Sequence, residues 1–306
     1  QVVLRRREAT LDYHDISQLP TEEKEAFLSE YKRKDRAKGF DLSRDMLVRF
    51  AIVKTEANRY EFIFSHHHIL MDGWCLGIVL DELFDIYGQL LAGNKPVLTK
   101  TTPYSEYIRW LDKQDHDEAK AYWKAYLEGY TQMSEIPRQG YHTSGDEFQP
   151  EEIVCTLDQT VVKRLTKLAQ QHHLTLNNLF QCIWGVLLQR MNHTDDVVFG
   201  AVVSGRNKNI RNIENIVGLF INTIPVRVRT KEGASFIELA QTAKQSTIAS
   251  EEYDYLSLAD IQANSALNNH LFDHLFVFEN YPFDADAMDE STAKMGFKVV
   301  GSEAYE

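Results

Sequence analysis

The chain has 306 residues, of which 43% are hydrophobic, 11% aromatic and 25% charged. This composition is typical of a globular protein, and the length favours two lobes. No run approaches the roughly 18 consecutive apolar residues of a membrane span. The net charge of −12 argues against nucleic-acid binding, which needs a basic surface. We therefore expect neither a nucleic-acid partner nor a membrane partner.

Cysteine usage and the N-terminus bear on location. The three cysteines, Cys75, Cys155 and Cys182, are far apart and show no paired spacing, which predicts a reducing cytoplasm and no disulfides. Residues 1–7 lack the apolar core of a signal peptide. The missing initiator Met indicates a piece of a longer protein. Cys75 could be a nucleophile, but packing is favoured because free cysteines usually behave as small apolar residues.

The first half of the chain begins with a helix and two strands. Pro20, followed by acidic residues, predicts a helix over residues 20–38 that stops at Gly39. Residues 46–54 and 60–65 are rich in β-branched and aromatic side chains, which predicts a pair of strands joined by a turn.

Three consecutive histidines, His66, His67 and His68, follow the second of these strands. Apolar residues then recur at helical spacing over residues 76–91, and Asp72 is the expected N-cap of that helix. Strand ends of this kind often carry chemistry in α/β proteins, and histidine titrates near neutrality. The histidines are therefore candidates for acid–base catalysis.

A metal site is the rival interpretation of the same histidines. On a strand, His66 and His68 share one face and could supply two ligands. Asp72 is the only nearby third ligand, and capping is its expected role. Because too few ligands are available, we predict no metal.

A polar stretch punctuated by glycine and proline, residues 129–152, predicts a linker. It divides the chain into an N-terminal lobe, 1–150, and a C-terminal lobe, 151–306. The second lobe is predicted to contain a strand over 152–157, a helix capped by Asp158, a helix over 176–191 capped by Thr175, a strand over 197–203 and a helix over 238–252.

Two further segments carry polar or aromatic signals. Residues 104–110 read as an amphipathic helix whose aromatic side chains are expected to dock on the N-terminal lobe. Residues 217–227 are an apolar run interrupted by Asn222. A buried amide needs hydrogen-bond partners, so Asn222 either binds backbone groups or lines a functional channel.

The sequence His67-His68-Ile69-Leu70-Met71-Asp72-Gly73 resembles the His-His-x-x-x-Asp-Gly motif of condensation domains of nonribosomal peptide synthetases. The segment from Val217 to Thr223 resembles the Val-Gly-x-Phe-Val-Asn-Thr segment of the same family, and residues 104–110 resemble its Tyr-x-Asp-aromatic-x-x-Trp motif. The resemblance extends over essentially the whole chain. It covers an internal part of the family domain.

The resemblance implies a mixed α/β (α+β) fold of two chloramphenicol-acetyltransferase-like lobes, arranged as a V around a central cleft. It also implies that His68 is catalytic, that His67 and Asp72 are mainly structural, and that Gly73 presents its backbone near the reacting centre. Trp74 and Asn222 are implied to face the substrate channel.

The implied reaction joins a donor aminoacyl or peptidyl thioester to the α-amine of an acceptor aminoacyl thioester. No intrinsic cofactor is implied, since both substrates arrive on phosphopantetheine arms of upstream and downstream carrier domains, beside an adenylation domain. Alternatives that share the motif are an epimerization domain, a coenzyme-A-dependent acyltransferase and a non-catalytic docking module.

Overall fold

The structure, a computed structural model, describes residues 10–137 and 152–279. These residues form two compact units. The first unit comprises residues 10–98 together with 217–219, and the second comprises 99–137, 152–216 and 220–279. The predicted lobe boundary near residue 150 lies outside the described residues. Residues 99–137, which the sequence assigned to the N-terminal lobe, group with the second unit.

The first unit consists of a three-stranded sheet and two long helices. The sheet order is β1-β2-β3, with β1 parallel to β2 and β2 antiparallel to β3. In chain order the elements are β1 (Leu11–Asp15), α1 (Thr21–Lys38), β2 (Val48–Glu56), β3 (Arg59–His66), a 3₁₀ turn (His68–Leu70) and α2 (Trp74–Leu91).

Helix α1 has the boundaries that its terminal residues favour. Pro20 is its N-cap, acidic residues occupy the first turn and basic residues the last, which suits the helix dipole. Gly39 ends the helix with φ at +58°, a backbone conformation that glycine adopts without a steric penalty. The predicted helix over 20–38 is therefore confirmed, as are the two strands that follow it.

The second unit combines a small sheet with most of the helices. Its sheet order is β5-β4-β6, with β4 antiparallel to β5 and parallel to β6. In chain order the elements are α3 (Ser105–Leu111), α4 (His116–Tyr126), α5 (Gln159–Gln171), α6 (Leu176–Asn192), β4 (Asp196–Val203), β5 (Asn222–Arg229), α7 (Phe236–Ser250), α8 (Leu258–Ala263) and β6 (Leu275–Phe276).

Side-chain caps fix the starts of two helices as the sequence predicted. The backbone N–H of Thr160 donates to the Asp158 carboxylate at 2.7 Å, which caps α5. Thr175 caps α6 in a reciprocal capping box with Asn178.

The core of the second unit explains why residues 99–137 belong to it. Trp123 of α4 is fully buried there, and its indole N–H donates to the backbone oxygen of Tyr253 at 3.0 Å. On α3, the ring of Tyr107 lies 4.6 Å from the ring of Phe220, centroid to centroid. The expectation that the aromatic residues of 104–110 dock on the N-terminal lobe is therefore wrong, because apolar partners for these helices occur within the second unit.

The predicted strand over residues 152–157 is also wrong. The structure describes 152–158 as irregular backbone, with Ile153 95% exposed and Val154 78% exposed. Side-chain pattern alone favours a strand there, but a strand also needs a hydrogen-bonded neighbour. None of the helices in the described part of the chain combines the length and the apolar character that crossing a bilayer needs.

Candidate active site

The histidine motif lies in a short connection between β3 and α2 of the first unit. His66 is the last residue of β3, and His67 immediately precedes the 3₁₀ turn that begins at His68. Asp72 and Gly73 then lead into α2, which begins at Trp74. The structure therefore places five of the six predicted site residues on one continuous segment: His67, His68, Asp72, Gly73 and Trp74.

His67 is held on its backbone and on its ring. Its N–H donates to the Leu47 oxygen at 3.0 Å, and its ring Nδ1 accepts a hydrogen bond from the Ile69 N–H at 3.1 Å. The Phe40 ring approaches edge-on, with centroids 6.1 Å apart. Because Nδ1 accepts, a neutral His67 carries its proton on Nε2. His67 thus caps the turn that presents His68.

A half-buried ion pair between Arg49 and Asp35 packs against the ring of Phe40. The Arg49 guanidinium lies 4.0 Å from the Phe40 ring centroid, and its Nε donates to the Asp35 carboxylate at 2.6 Å. Ser65 donates to the same carboxylate at 2.6 Å. Burial raises the pKa of Asp35, but the hydrogen bonds from Arg49 and Ser65 outweigh burial and hold that pKa below its usual value. Sequence reasoning missed this support.

His68 differs from His67 because its side chain is open to solvent. It is exposed, and its ring centroid lies 6.4 Å from that of half-buried His66. Burial lowers the pKa of His66, and the neighbouring His68 and His67 lower it further, since a charge on one imidazole opposes a charge on the next. The cluster therefore disfavours accumulation of positive charge.

Asp72 does not cap α2 as predicted. Gly73, which has no side chain, is the N-cap residue instead. Asp72 is only 1% exposed, and its carboxylate accepts a hydrogen bond from the Cys75 thiol at 3.3 Å. Its backbone N–H approaches the Gly218 oxygen at 3.4 Å. The Asp72 carboxylate therefore contacts the side chain of Cys75 in the first turn of α2.

The start of α2 restricts which backbone donors face the site. The N–H of Cys75 donates to the Asp72 oxygen at 3.0 Å, and the N–H of Leu76 to the Gly73 oxygen at 3.3 Å. Gly73 itself is exposed and has no side chain to cover its backbone, and Trp74 beside it is half-buried. Gly73 therefore leaves its backbone exposed at the point where the connection meets α2.

Asn222 belongs to the second unit, at the start of β5. Its amide nitrogen donates to the backbone oxygens of Asp254 and Leu256, both at 2.7 Å. Its amide oxygen accepts from the Thr223 N–H at 2.9 Å. Of the two roles that the sequence left open, the structure displays the backbone-binding one. A role in a substrate channel stays a prediction.

No group of three or more metal-binding side chains occurs in residues 10–137 or 152–279. The observed groups instead suit proton transfer. An accessible imidazole next to an open backbone segment can accept a proton from an attacking nucleophile.

The fold and the His-His-x-x-x-Asp-Gly connection define an α/β protein of the chloramphenicol-acetyltransferase-like type. The family model described as Condensation domain matches residues 1–305, and the chain belongs to that family.

Several known proteins are similar to this chain. Bacitracin synthase 3 of Bacillus licheniformis is 43% identical over 299 residues, which is 98% of this chain and 5% of the synthase. Gramicidin S synthase 2 of Brevibacillus brevis is 41% identical over 307 residues, covering 100% of this chain and 7% of that synthase. The chain thus spans only a small part of these relatives.

The structure of holo-AB3403, a four-domain nonribosomal peptide synthetase bound to AMP and glycine, matches with a TM-score of 0.71. The match covers 90% of this chain and 21% of that one at 22% identity, so it is evidence for the fold alone. Together with the family match, it confirms the condensation-domain resemblance and the fold class.

Proposed function

We propose that this chain catalyses amide bond formation in nonribosomal peptide synthesis. The α-amine of an acceptor aminoacyl thioester attacks a donor aminoacyl or peptidyl thioester. The observation that carries the proposal is the exposed His68 on a turn capped by His67, in a chain of the Condensation domain family. The printed names of the relatives, synthases of bacitracin and gramicidin S, support peptide synthesis as the setting.

The reaction needs one proton to move between two reacting atoms. The amine nitrogen forms a bond to the thioester carbonyl carbon and gives up a proton, and the carbon–sulfur bond then breaks. His68 accepts the amine proton, or orients the amine, and the proton ends on the departing thiolate. A neutral imidazole suits this role because its reference pKa is about 6.5. Such acid–base assistance is worth about 10²- to 10⁴-fold in rate.

The oxyanion of the tetrahedral intermediate needs a donor near His68. Gly73 is exposed and lies three residues after the end of the histidine turn, and we propose that its backbone approaches the carbonyl oxygen. Trp74, the first residue of α2, lies next along the chain, where we propose that it borders the substrate channel.

Both thioesters are expected to arrive on phosphopantetheine arms of upstream and downstream carrier domains. An adenylation domain is the expected neighbour, because it activates amino acids for such carriers. The cytoplasm is the expected location. Cys75, Cys155 and Cys182 are all free thiols, which suits a reducing compartment.

The test loads two carrier domains with aminoacyl groups and measures the carrier-bound products by mass, using the full-length protein. His68→Ala is expected to abolish dipeptide formation without changing thermal stability. His270→Ala is the matched control, since His270 is also exposed and also belongs to a 3₁₀ turn. Full activity in His68→Ala refutes the assignment.

The same assay separates the alternatives. If the wild type forms no dipeptide but exchanges the donor α-proton for deuterium, the chain is an epimerization domain. If it does neither and only binds loaded carriers, it is a docking module. If it instead transfers an acyl group from acyl-coenzyme A to an amine, it is a coenzyme-A-dependent acyltransferase.

A further inference from the structure

The start of α2 is joined to a distant segment of the chain through the thiol of Cys75. This side chain is fully buried, and its sulfur lies 3.3 Å from the Asp72 carboxylate and 3.2 Å from the Gly218 oxygen. The Gly218 N–H in turn donates to the sulfur at 3.3 Å. Cys75 and Gly218 are 143 residues apart in sequence, and both belong to the first unit.

We propose that Cys75 is a positioning residue for the condensation reaction. Its thiol hydrogen-bonds to both Asp72 and Gly218 of the segment 217–219. These bonds hold in position the connection between β3 and α2 that carries His68. This inference rests on the proposed function for its catalytic consequence, whereas the contact itself can be tested without any activity.

The hydrogen-bonding capacity of a thiol fits the three contacts. Its single proton can be donated either to the Asp72 carboxyl group or to the Gly218 oxygen, and its lone pairs accept the Gly218 N–H. Sulfur bonds are long and weakly directional, so one thiol can serve partners on two segments. An apolar side chain of similar size can fill the space but can make none of these bonds.

The contact is connected to His68 by a short part of the chain. The Asp72 carboxylate accepts from the Cys75 thiol, and the Asp72 N–H donates to the Gly218 oxygen at 3.4 Å. Three residues separate Asp72 from His68: Ile69, Leu70 and Met71, the last of which is 5% exposed. A shift of Asp72 therefore moves the end of the turn that carries His68. A displacement of about 1 Å at a reacting group can reduce a rate about 10²-fold.

Cys182 is the matched control that the chain offers. It is also fully buried, but it lies in an apolar cluster of the second unit with Ala169, Leu174 and Leu179. Replacing Cys182 by Ala removes the same atoms from an equally dry environment. The difference between the two variants therefore reports the polar contacts of Cys75 rather than the loss of a buried sulfur.

The experiment compares Cys75→Ala, Cys75→Ser and Cys182→Ala in the full-length protein, with rates divided by the folded fraction from circular dichroism. Cys75→Ala is expected to lower kcat about 10²-fold with little change in KM, because substrate binding is retained while His68 is displaced. Cys75→Ser is expected to restore most of kcat, since its hydroxyl can both donate and accept. If Cys75→Ala does not fold, Cys75→Val replaces it.

Hydrogen exchange gives the second measurement, read by mass spectrometry on peptides that contain Gly218. The Gly218 amide is expected to exchange about tenfold faster in Cys75→Ala than in the wild type, and unchanged in Cys182→Ala. Equal kcat losses in Cys75→Ala and Cys182→Ala, or equal losses in Cys75→Ala and Cys75→Ser, overturn the proposal.

Failure of the proposed function is distinguishable from failure of this inference. In that case the wild type forms no amide product, and the exchange of the Gly218 amide alone decides whether Cys75 holds the segment. Unchanged exchange in Cys75→Ala then overturns the inference as well.

Discussion

Replacing Asn222 by Ala tests whether this residue is a structural clamp, a channel residue or both. Its amide nitrogen makes two 2.7 Å bonds, to the backbone oxygens of Asp254 and Leu256. Each such bond contributes about 0.5–1.5 kcal/mol net, so their loss costs about 1–3 kcal/mol. Leu256 is fully buried, which keeps water from replacing the donor and favours the upper half of that range.

The magnitude predicts a measurable shift in thermal unfolding. For a unit of this size, 1 kcal/mol changes Tm by about 2–4 °C, so a loss of about 2–3 kcal/mol lowers Tm by about 4–12 °C. Asn222→Asp is expected to be less stable than Asn222→Ala near neutral pH, because a carboxylate faces two carbonyl oxygens. Acidification is expected to recover part of that loss, since a protonated carboxyl can donate one bond.

The control is Asn264→Ala. The Asn264 amide also donates to a backbone oxygen at 2.7 Å, but at the exposed end of α8. Water can replace that bond, so the expected change is below about 0.5 kcal/mol. Calorimetry and the dipeptide assay, run well below Tm, separate the two roles. A clamp leaves the rate per folded molecule unchanged, whereas a channel residue lowers it. An unchanged Tm in Asn222→Ala refutes the structural reasoning.

The other predictions concern a close backbone approach and a titrating side chain. A Cβ at Gly205, where φ is +63°, overlaps the carbonyl oxygen of Phe220, so Gly205→Ala is expected to cost at least about 2 kcal/mol of stability. Gly233→Ala, with φ at +78° but open space, isolates the backbone strain, and equal losses in both variants contradict the overlap. Burial lowers the pKa of His66 in the folded state, so below about pH 6.5 the unfolded state binds more protons than the folded state. The free energy of unfolding therefore falls as the pH drops from about 6.5 towards the lowered pKa of His66. Urea midpoints at neutral and acidic pH are expected to differ less in His66→Gln than in the wild type, and equal differences contradict the assignment.

Local signals in the sequence were sufficient for most element boundaries. Pro20 suits the start of α1 because it has no backbone N–H that would be left without a partner there. Gly39 suits the end because glycine tolerates a positive φ. Asp158 and Thr175 cap their helices because a short polar side chain can reach the N–H groups of the next turn. These effects act within a few residues, so a single sequence contains all the information that they need.

Several predictions failed because the outcome depends on a partner elsewhere in the chain. The apolar residues Ile153 and Val154 favour a strand, but their side chains are exposed and the segment is irregular. Asp72 has the right side chain for an N-cap, yet its carboxylate receives the Cys75 thiol, which itself contacts Gly218. Nothing in the sequence near Asp72 indicates that Cys75 contacts Gly218, which lies 143 residues further along the chain.

The two histidines of the motif illustrate why residue type alone does not distinguish the proposed base, His68, from its neighbour. His67 and His68 are identical side chains at adjacent positions, and the sequence separated them only by resemblance to a family. The geometry provides an independent physical reason. The Nδ1 of His67 is occupied by the Ile69 N–H and its ring packs against Phe40, so moving a proton there disturbs the turn. His68 is exposed at the start of that turn. A general base must offer an accessible ring nitrogen, which His68 does. His67 assists by holding the turn in place and does not need to act as a second base.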